Sequence, residues 1–102
     1  MMDNRIYQML GLCQKARGLV NGEFAAKKAV LELQAQLVIV ATDASQNTKK
    51  LFHDKSAYRH IECLEWGTKE EIGRILGKDP RAVIAITDVN FATKIGQMMR
   101  NR

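Results

Sequence analysis

Leu37-Val38-Ile39-Val40-Ala41-Thr42-Asp43-Ala44-Ser45 is the stretch whose reading decides the fold class. Its first five residues are a continuous apolar run rich in β-branched side chains, which favours a strand. A strand apolar on both faces must be covered on both sides. Thr42 to Ser45 breaks the run, and Asp43 or Ser45 suits the cap of a following helix. The same grammar returns near the C-terminus, where Ala82-Val83-Ile84-Ala85-Ile86 runs into Thr87-Asp88. Two doubly covered strands in one short chain imply a sheet between helical layers, with Leu37–Ala41 and Ala82–Ile86 as buried neighbours.

Downstream of Ser45, a helix is expected to contain Thr48, Leu51 and Phe52 and to end near Lys55 or Tyr58. Ile61 to Trp66 reads as another strand, and Trp66 either closes the edge of the core or offers a face to a base. Thr68-Lys69-Glu70-Glu71 is a capping box, opening a helix that carries Ile72, Ile75 and Leu76 and stops at Gly77. Asp88 or Asn90 caps a last helix with Phe91, Ile95, Met98 and Met99 as its stripe. Upstream, Asp3 is a fitting N-cap for a helix reaching about Arg17, with Ile6, Met9, Leu10, Cys13 and Arg17 on one face and Gly18 as its stop. Leu19 and Val20 leave room for a stub of strand. A second helix follows Gly22, from Glu23 to about Gln34, burying Ala26, Ala29, Val30 and Leu33. The expected architecture is a single α/β domain over residues 1–102. It is an α-β-α sandwich with a small, mostly four-stranded mixed sheet and helices on both faces.

The 102 residues carry a net charge of +5, with 46 % apolar and 26 % charged residues. A basic domain of this size favours a polyanionic partner, nucleic acid first. The acids are spread along the chain, so a binding face must be assembled by folding. Cys13 and Cys63 stand alone, outside any C-x-x-C pair, and are expected to be unpaired thiols in a reducing compartment. The residues after Met1 do not resemble a secretory leader and no apolar run reaches membrane length, which makes a cytoplasmic protein the expectation. Dinucleotide, nucleotide-triphosphate and hydrolase signatures are absent from the sequence. His53 and His60 lack a Cys or carboxylate at metal-ligand spacing and are expected at the surface. Asp43 and Asp88 sit where α/β folds place ligands, yet helix capping explains both. No catalytic residue, metal or cofactor is expected.

Arg17-Gly18-Leu19-Val20-Asn21-Gly22-Glu23-Phe24-Ala25-Ala26-Lys27-Lys28-Ala29-Val30 is the candidate binding stretch. Gly22 frees the backbone at a turn, and the helix start behind it offers N–H groups and partial positive charge to a phosphate. Lys27 and Lys28 add full charge one turn on. Glu23 with Lys27, and Lys28 with Glu32, are also spaced as plain surface ion pairs.

Taken in series, Leu10-Gly11-Leu12, Val20-Asn21-Gly22-Glu23, Leu37 to Thr48, Gly67 to Arg74, Leu76-Gly77-Lys78 and Ile86 to Ala92 resemble the kink-turn-binding ribosomal protein family. This is the superfamily of L-seven-Ae and L-thirty-e proteins, and the resemblance is to its bacterial YlxQ-like branch. It covers nearly the whole chain and implies an α-β-α sandwich that binds bulged RNA bends beside sheared G·A pairs. The family's G-[AST]-N-[EQ]-x-x-K motif aligns with Gly22 to Lys28. Gly22 and Lys28 match, Phe24 stands in place of a polar base reader, and Ala25 replaces the acid or amide. Glu23 is expected to take over part of the acid's role. The family's second RNA-facing loop corresponds to Gly77-Lys78-Asp79-Pro80-Arg81. The RNA-facing residues implied are therefore Gly22, Glu23, Phe24, Lys27, Lys28, Lys78 and Arg81. The implied partner is structured RNA, ribosomal RNA first, bound by a monomer associated with translation, with no membrane and no small-molecule substrate. A protein-interaction module of the same fold is the alternative that Phe24 and Ala25 favour.

Overall fold

In the computed structural model, which describes residues 4–101, the two apolar runs form the two central strands of a four-stranded sheet. In chain order the elements are α1 (Asn4–Lys15), β1 (Leu19–Asn21), α2 (Glu23–Leu31), β2 (Leu37–Val40), α3 (Gln46–Tyr58), β3 (Glu62–Glu65), α4 (Lys69–Leu76), β4 (Val83–Ile86) and α5 (Val89–Arg100). The strand order is β1-β4-β2-β3. β2 and β4 pair antiparallel, with Leu37 opposite Ile86 and Val40 opposite Val83. β1 pairs antiparallel with β4, and β3 pairs parallel with β2. Every residue of β2 and β4 is buried, whereas β3, on an edge, shows an exposed Glu at each end. α2 and α3 pack on one face, and α1, α4 and α5 on the other. One contiguous core joins both layers.

Three sequence expectations change at helix ends. α2 stops at Leu31, so Leu33 leaves the expected buried stripe and is 67 % exposed, with φ of 61°. The N–H of Gln34 donates to the Ala29 carbonyl and that of Leu33 to Val30, so the chain turns back and buries Ala35 instead. This is a Schellman stop with Leu33 in the place usually taken by glycine. α1 ends in the same way, with Arg17 at φ 58° and Gly18 donating to Cys13. Arg17 is thus exposed and off the helix face, and Gly18 is not the left-handed residue. A Cβ on Gly18 would lie 3.0 Å from Cys13 Sγ and 3.1 Å from Asp88 Cβ, so close packing is its reason for being there. α3 repeats the motif with His60 at φ 58° and Ile61 donating to Ser56. The Asp3 cap lies outside the described residues.

The remaining caps follow the local chemistry. Ser45 accepts from Thr48 N, Asp88 accepts from Phe91 N, and Thr68 with Glu71 forms the complete capping box. Trp66 is only 3 % exposed and meets Tyr7 edge to face at 5.6 Å, which makes it core and removes it as a stacking surface. The Tyr7 hydroxyl donates to Glu71 Oε2. Burial and that bond push the Tyr7 phenol up to about 12, and the same bond holds the Glu71 carboxyl below its ordinary value. Cys13 and Cys63 are free thiols, raised by burial to about 11 and about 12. Both are protonated and unreactive at neutral pH.

Candidate nucleic-acid interface

Strand directions bring four junctions to one end of the sheet. The C-terminal ends of β1, β2 and β3 lie there, together with the N-terminal end of β4. The turns at Gly22, at Thr42–Ser45, at Gly67–Thr68 and across residues 77–82 are therefore neighbours, although some sixty residues separate the first from the last.

Gly22 joins β1 to α2 at φ 90° and ψ 157°, a region open in practice only to glycine. Its N–H donates to the Val83 carbonyl at 2.9 Å, and its carbonyl accepts from Ala26 N at 3.0 Å to begin the helix. No side chain caps this turn. The first N–H groups of α2, which like those of any helix lack an intrahelical partner, therefore receive none from the N-cap side chain either and stand at the positive end of the helix dipole.

Glu23 is exposed and is held away from Lys27. Its Oε1 accepts from Thr48 Oγ1 at 3.0 Å, and Thr48 Oγ1 accepts from the Ser45 hydroxyl at 2.9 Å. This chain ties the start of α2 to the start of α3. The Glu23–Lys27 and Lys28–Glu32 ion pairs that the spacing allows do not form, and among the described residues Lys27 and Lys28 have no carboxylate partner. Phe24, Lys27, Lys28 and Leu31 recur at i, i+3, i+4 and i+7, so they share the outer face of α2. Phe24 is 86 % exposed and Leu31 42 %. Lys28 lies roughly 9 Å along the helix from Gly22, at 1.5 Å per residue.

The residue 77–82 loop is seated from below by Gly73. A Cβ at Gly73 would clash with the Asp79 carbonyl oxygen and fall 2.9 Å from that of Lys78, so only glycine lets the loop lie on α4. Lys78 N donates to Gly73 O, and the Lys78 side chain is exposed. Arg81 has a different part. Its Nε donates to Asn21 Oδ1 at 2.8 Å, and one terminal nitrogen donates to the carbonyls of Asp79 and Pro80. Half-buried, it clasps this loop to the turn before Gly22. Asp43 reaches across as well: its Oδ1 accepts from Lys69 N at 2.8 Å, so it caps α4 and not the helix that follows it. Thr42 Oγ1 donates to Gly67 O at 2.8 Å.

Of the seven expected residues, Gly22 and Arg81 are drawn to the same end by direct bonds, to Val83 O and Asn21 Oδ1, while Lys78 is bonded to Gly73 of α4 in the loop that Arg81 clasps. Glu23, Phe24, Lys27 and Lys28 line the adjoining face of α2. Sequence reasoning missed Asn21, Thr48 and Gly73. The first two act through partners 60 and 25 residues away, which no spacing reveals. The mid-helix glycine was a visible signal, because such a residue usually marks a close approach. His53 binds Glu65 at the edge strand, and that bond is the main cause holding the Glu65 carboxyl below its ordinary value. Among the described residues no three His, Cys, Asp or Glu side chains converge as a metal site, and no helix is long and apolar enough to cross a membrane.

The model of the ribosomal protein L7Ae/L30e/S12e/Gadd45 family matches residues 4–96, and the chain belongs to that family. It is 37 % identical over 89 residues to a Bacillus subtilis (strain 168) protein named RNA-binding protein YlxQ, covering 87 % of this chain and 89 % of that one. An Enterococcus faecium protein of the same name is 38 % identical over 91 residues, 89 % of this chain and 87 % of that one. Among solved structures, a protein with unknown function from Bacillus halodurans superposes with a TM-score of 0.92 at 35 % identity, over 96 % of this chain and 99 % of the other. A Giardia lamblia 15.5kD RNA binding protein superposes at 0.75 with 20 % identity, over 93 % and 84 % of the two chains, which shows the shared fold.

Proposed function

We propose that this protein binds structured RNA, without catalysis, through the end of the sheet that carries Gly22 and the residue 77–82 loop. The observation that carries the proposal is that Lys27 and Lys28, on the helix whose start is uncapped, and Lys78, in the residue 77–82 loop, have no carboxylate partner among the described residues. The +5 net charge and the names of the two relatives support it. Backbone N–H groups at the start of α2 receive a phosphate of a bent RNA. Lys27, Lys28 and Lys78 neutralise neighbouring phosphates, and Arg81 orients the two loops toward them. Recognition by a rigid turn suits a bulge, where the RNA backbone bends and base edges open. The target proposed is a kink-turn-like bulged element, in ribosomal RNA or another translation-associated RNA, bound by a monomer in the cytoplasm.

The test is a salt series of binding isotherms on a bulged RNA stem. Lys28→Ala is expected to weaken binding and to lower the magnitude of the log–log salt slope by about one, as a lost phosphate contact does. Lys94→Ala, on exposed α5 surface, is the control and should leave both unchanged. Equal losses for the two variants would mean diffuse charge attraction. Wild-type protein that ignores RNA at every salt concentration would favour the protein-interaction module, for which exposed Phe24 is the supporting feature.

A further inference from the structure

We infer that Phe24 is a stacking platform for an unpaired nucleobase, with Lys27 and Lys28 holding the phosphates on either side of it. This deepens the RNA-binding proposal and rests on it. A phenylalanine that is 86 % exposed in the first turn of a helix contributes nothing to the core and costs solubility. Its ring is a shared wall of two shallow grooves. One, about 380 Å³, is lined by Phe24, Lys27, Lys28, Leu31 and Glu32. The other, about 370 Å³, shares Lys28 and Glu32 with the first and continues toward Val20 and Gln34. The exposed ring is therefore bordered by open space that can receive a flat group.

The surroundings select the occupant. Two lysines without carboxylate partners among the described residues stand one turn from the ring, and Glu32 is the lone acid of the first groove. The net charge of that groove is positive, which complements a nucleotide. The apolar surface amounts to one ring and a partly exposed Leu31, far less than the roughly 800 Å² per partner that a stable protein interface buries. A base offers a π-face of matching size, and base–aromatic stacking tolerates any base. Phe24 is also four residues from Lys28 on the same helix face, so a stacked base leaves its own phosphate within reach of the ammonium. Trp66, the other aromatic considered for this role, is buried.

The experiment uses the full chain and a bulged RNA stem carrying 2-aminopurine at each bulge position in turn, with an unbulged duplex of equal length as comparison. At one bulge position, binding of the wild-type protein should quench the fluorescence. Phe24→Ala should abolish that quenching and weaken binding to the bulged stem about fivefold or more, the loss expected for one stacked base. Its salt slope should stay at the wild-type value, since the ring holds no phosphate, and its weak binding to the duplex should be unaltered. Phe24→Leu keeps apolar bulk without a π-face and should behave as Phe24→Ala, whereas Phe24→Trp should retain quenching. Full affinity in Phe24→Leu, or quenching that survives Phe24→Ala, would overturn the stacking role. If that happens while Lys28→Ala still lowers the salt slope, RNA binding stands and only the platform falls. If the wild-type protein binds neither RNA, both fall together.

Discussion

The two ends of the sheet are built by opposite means. Where β1, β2 and β3 begin, each preceding helix closes on its own backbone. Gly18, Gln34 and Ile61 donate to Cys13, Ala29 and Ser56 at 2.8, 2.8 and 2.9 Å, behind left-handed Arg17, Leu33 and His60. Distant segments join this end mostly through backbone, with Thr87 N and Asp88 N donating to Gly18 O and Gln36 N to Ile86 O. Where those strands finish, long-range side-chain bonds make the structure: Glu23 with Thr48, Asp43 with the Lys69 amide, Arg81 with Asn21. The difference teaches how the fold acquires polarity. The carbonyl ends of α1, α2 and α3 collect at the first end, with the Asp88-capped N-terminus of α5, and the N-termini of α2, α3 and α4 at the second, so partial positive charge gathers where the loops are cross-braced. Of those three N-termini, α3 and α4 are capped by side chains and α2 is not. The free one adjoins Phe24, Lys27 and Lys28.

The cross-braced end is the more fragile, and Gly73→Ala should break it most severely. The added methyl meets loop backbone at Asp79, which cannot swing aside as a side chain would. Overpacking of about 3 kcal/mol outweighs the roughly 1 kcal/mol that Ala gains over Gly in a helix. A net loss of about 2 kcal/mol in urea unfolding is expected, with weaker binding to bulged RNA in the residual folded protein.

A matched pair of changes sharpens the contrast. Gly22→Ala should cost about 1.5 kcal/mol although no atom beyond the adjoining residues lies within 4 Å of the new methyl, because the backbone conformation itself excludes it. Leu33→Gly, at the other end, should be neutral or stabilise by up to about 0.5 kcal/mol. It removes a left-handed cost of about 1 kcal/mol and gives part of it back as unfolded-chain entropy. Binding to RNA should fall for the first and stay constant for the second. Chemical denaturation midpoints and isotherms on the same preparations read both effects.

How much of this was legible in the sequence follows the same division. β2 and β4 were visible because a run apolar on both faces has few other uses, and the caps at Ser45, Thr68 and Asp88 were visible because they act within three residues. The end of α2 was not. Leu33 continues the helical period, and nothing local announces that it will take the glycine position so that Ala35 enters the core. Asp43 was legible as a cap but not as a second acceptor at the start of α4, for the Lys69 amide 26 residues on. At the candidate site the lysines and Gly22 carried their own signal. Arg81 is legible as a basic loop residue, but its bonds to Asn21, Asp79 and Pro80 are not, since the first partner lies 60 residues away.

The central claim is that one end of the sheet, and not the molecule's overall charge, meets RNA. Amide chemical-shift mapping on titration with a bulged RNA stem tests it most directly. The account predicts shifts concentrated at Gly22, Glu23, Phe24, Lys28 and Lys78, with the amides of Arg17, Leu33 and His60 unmoved. Shifts spread evenly over both ends, or centred on the Arg17, Leu33 and His60 turns, would contradict it.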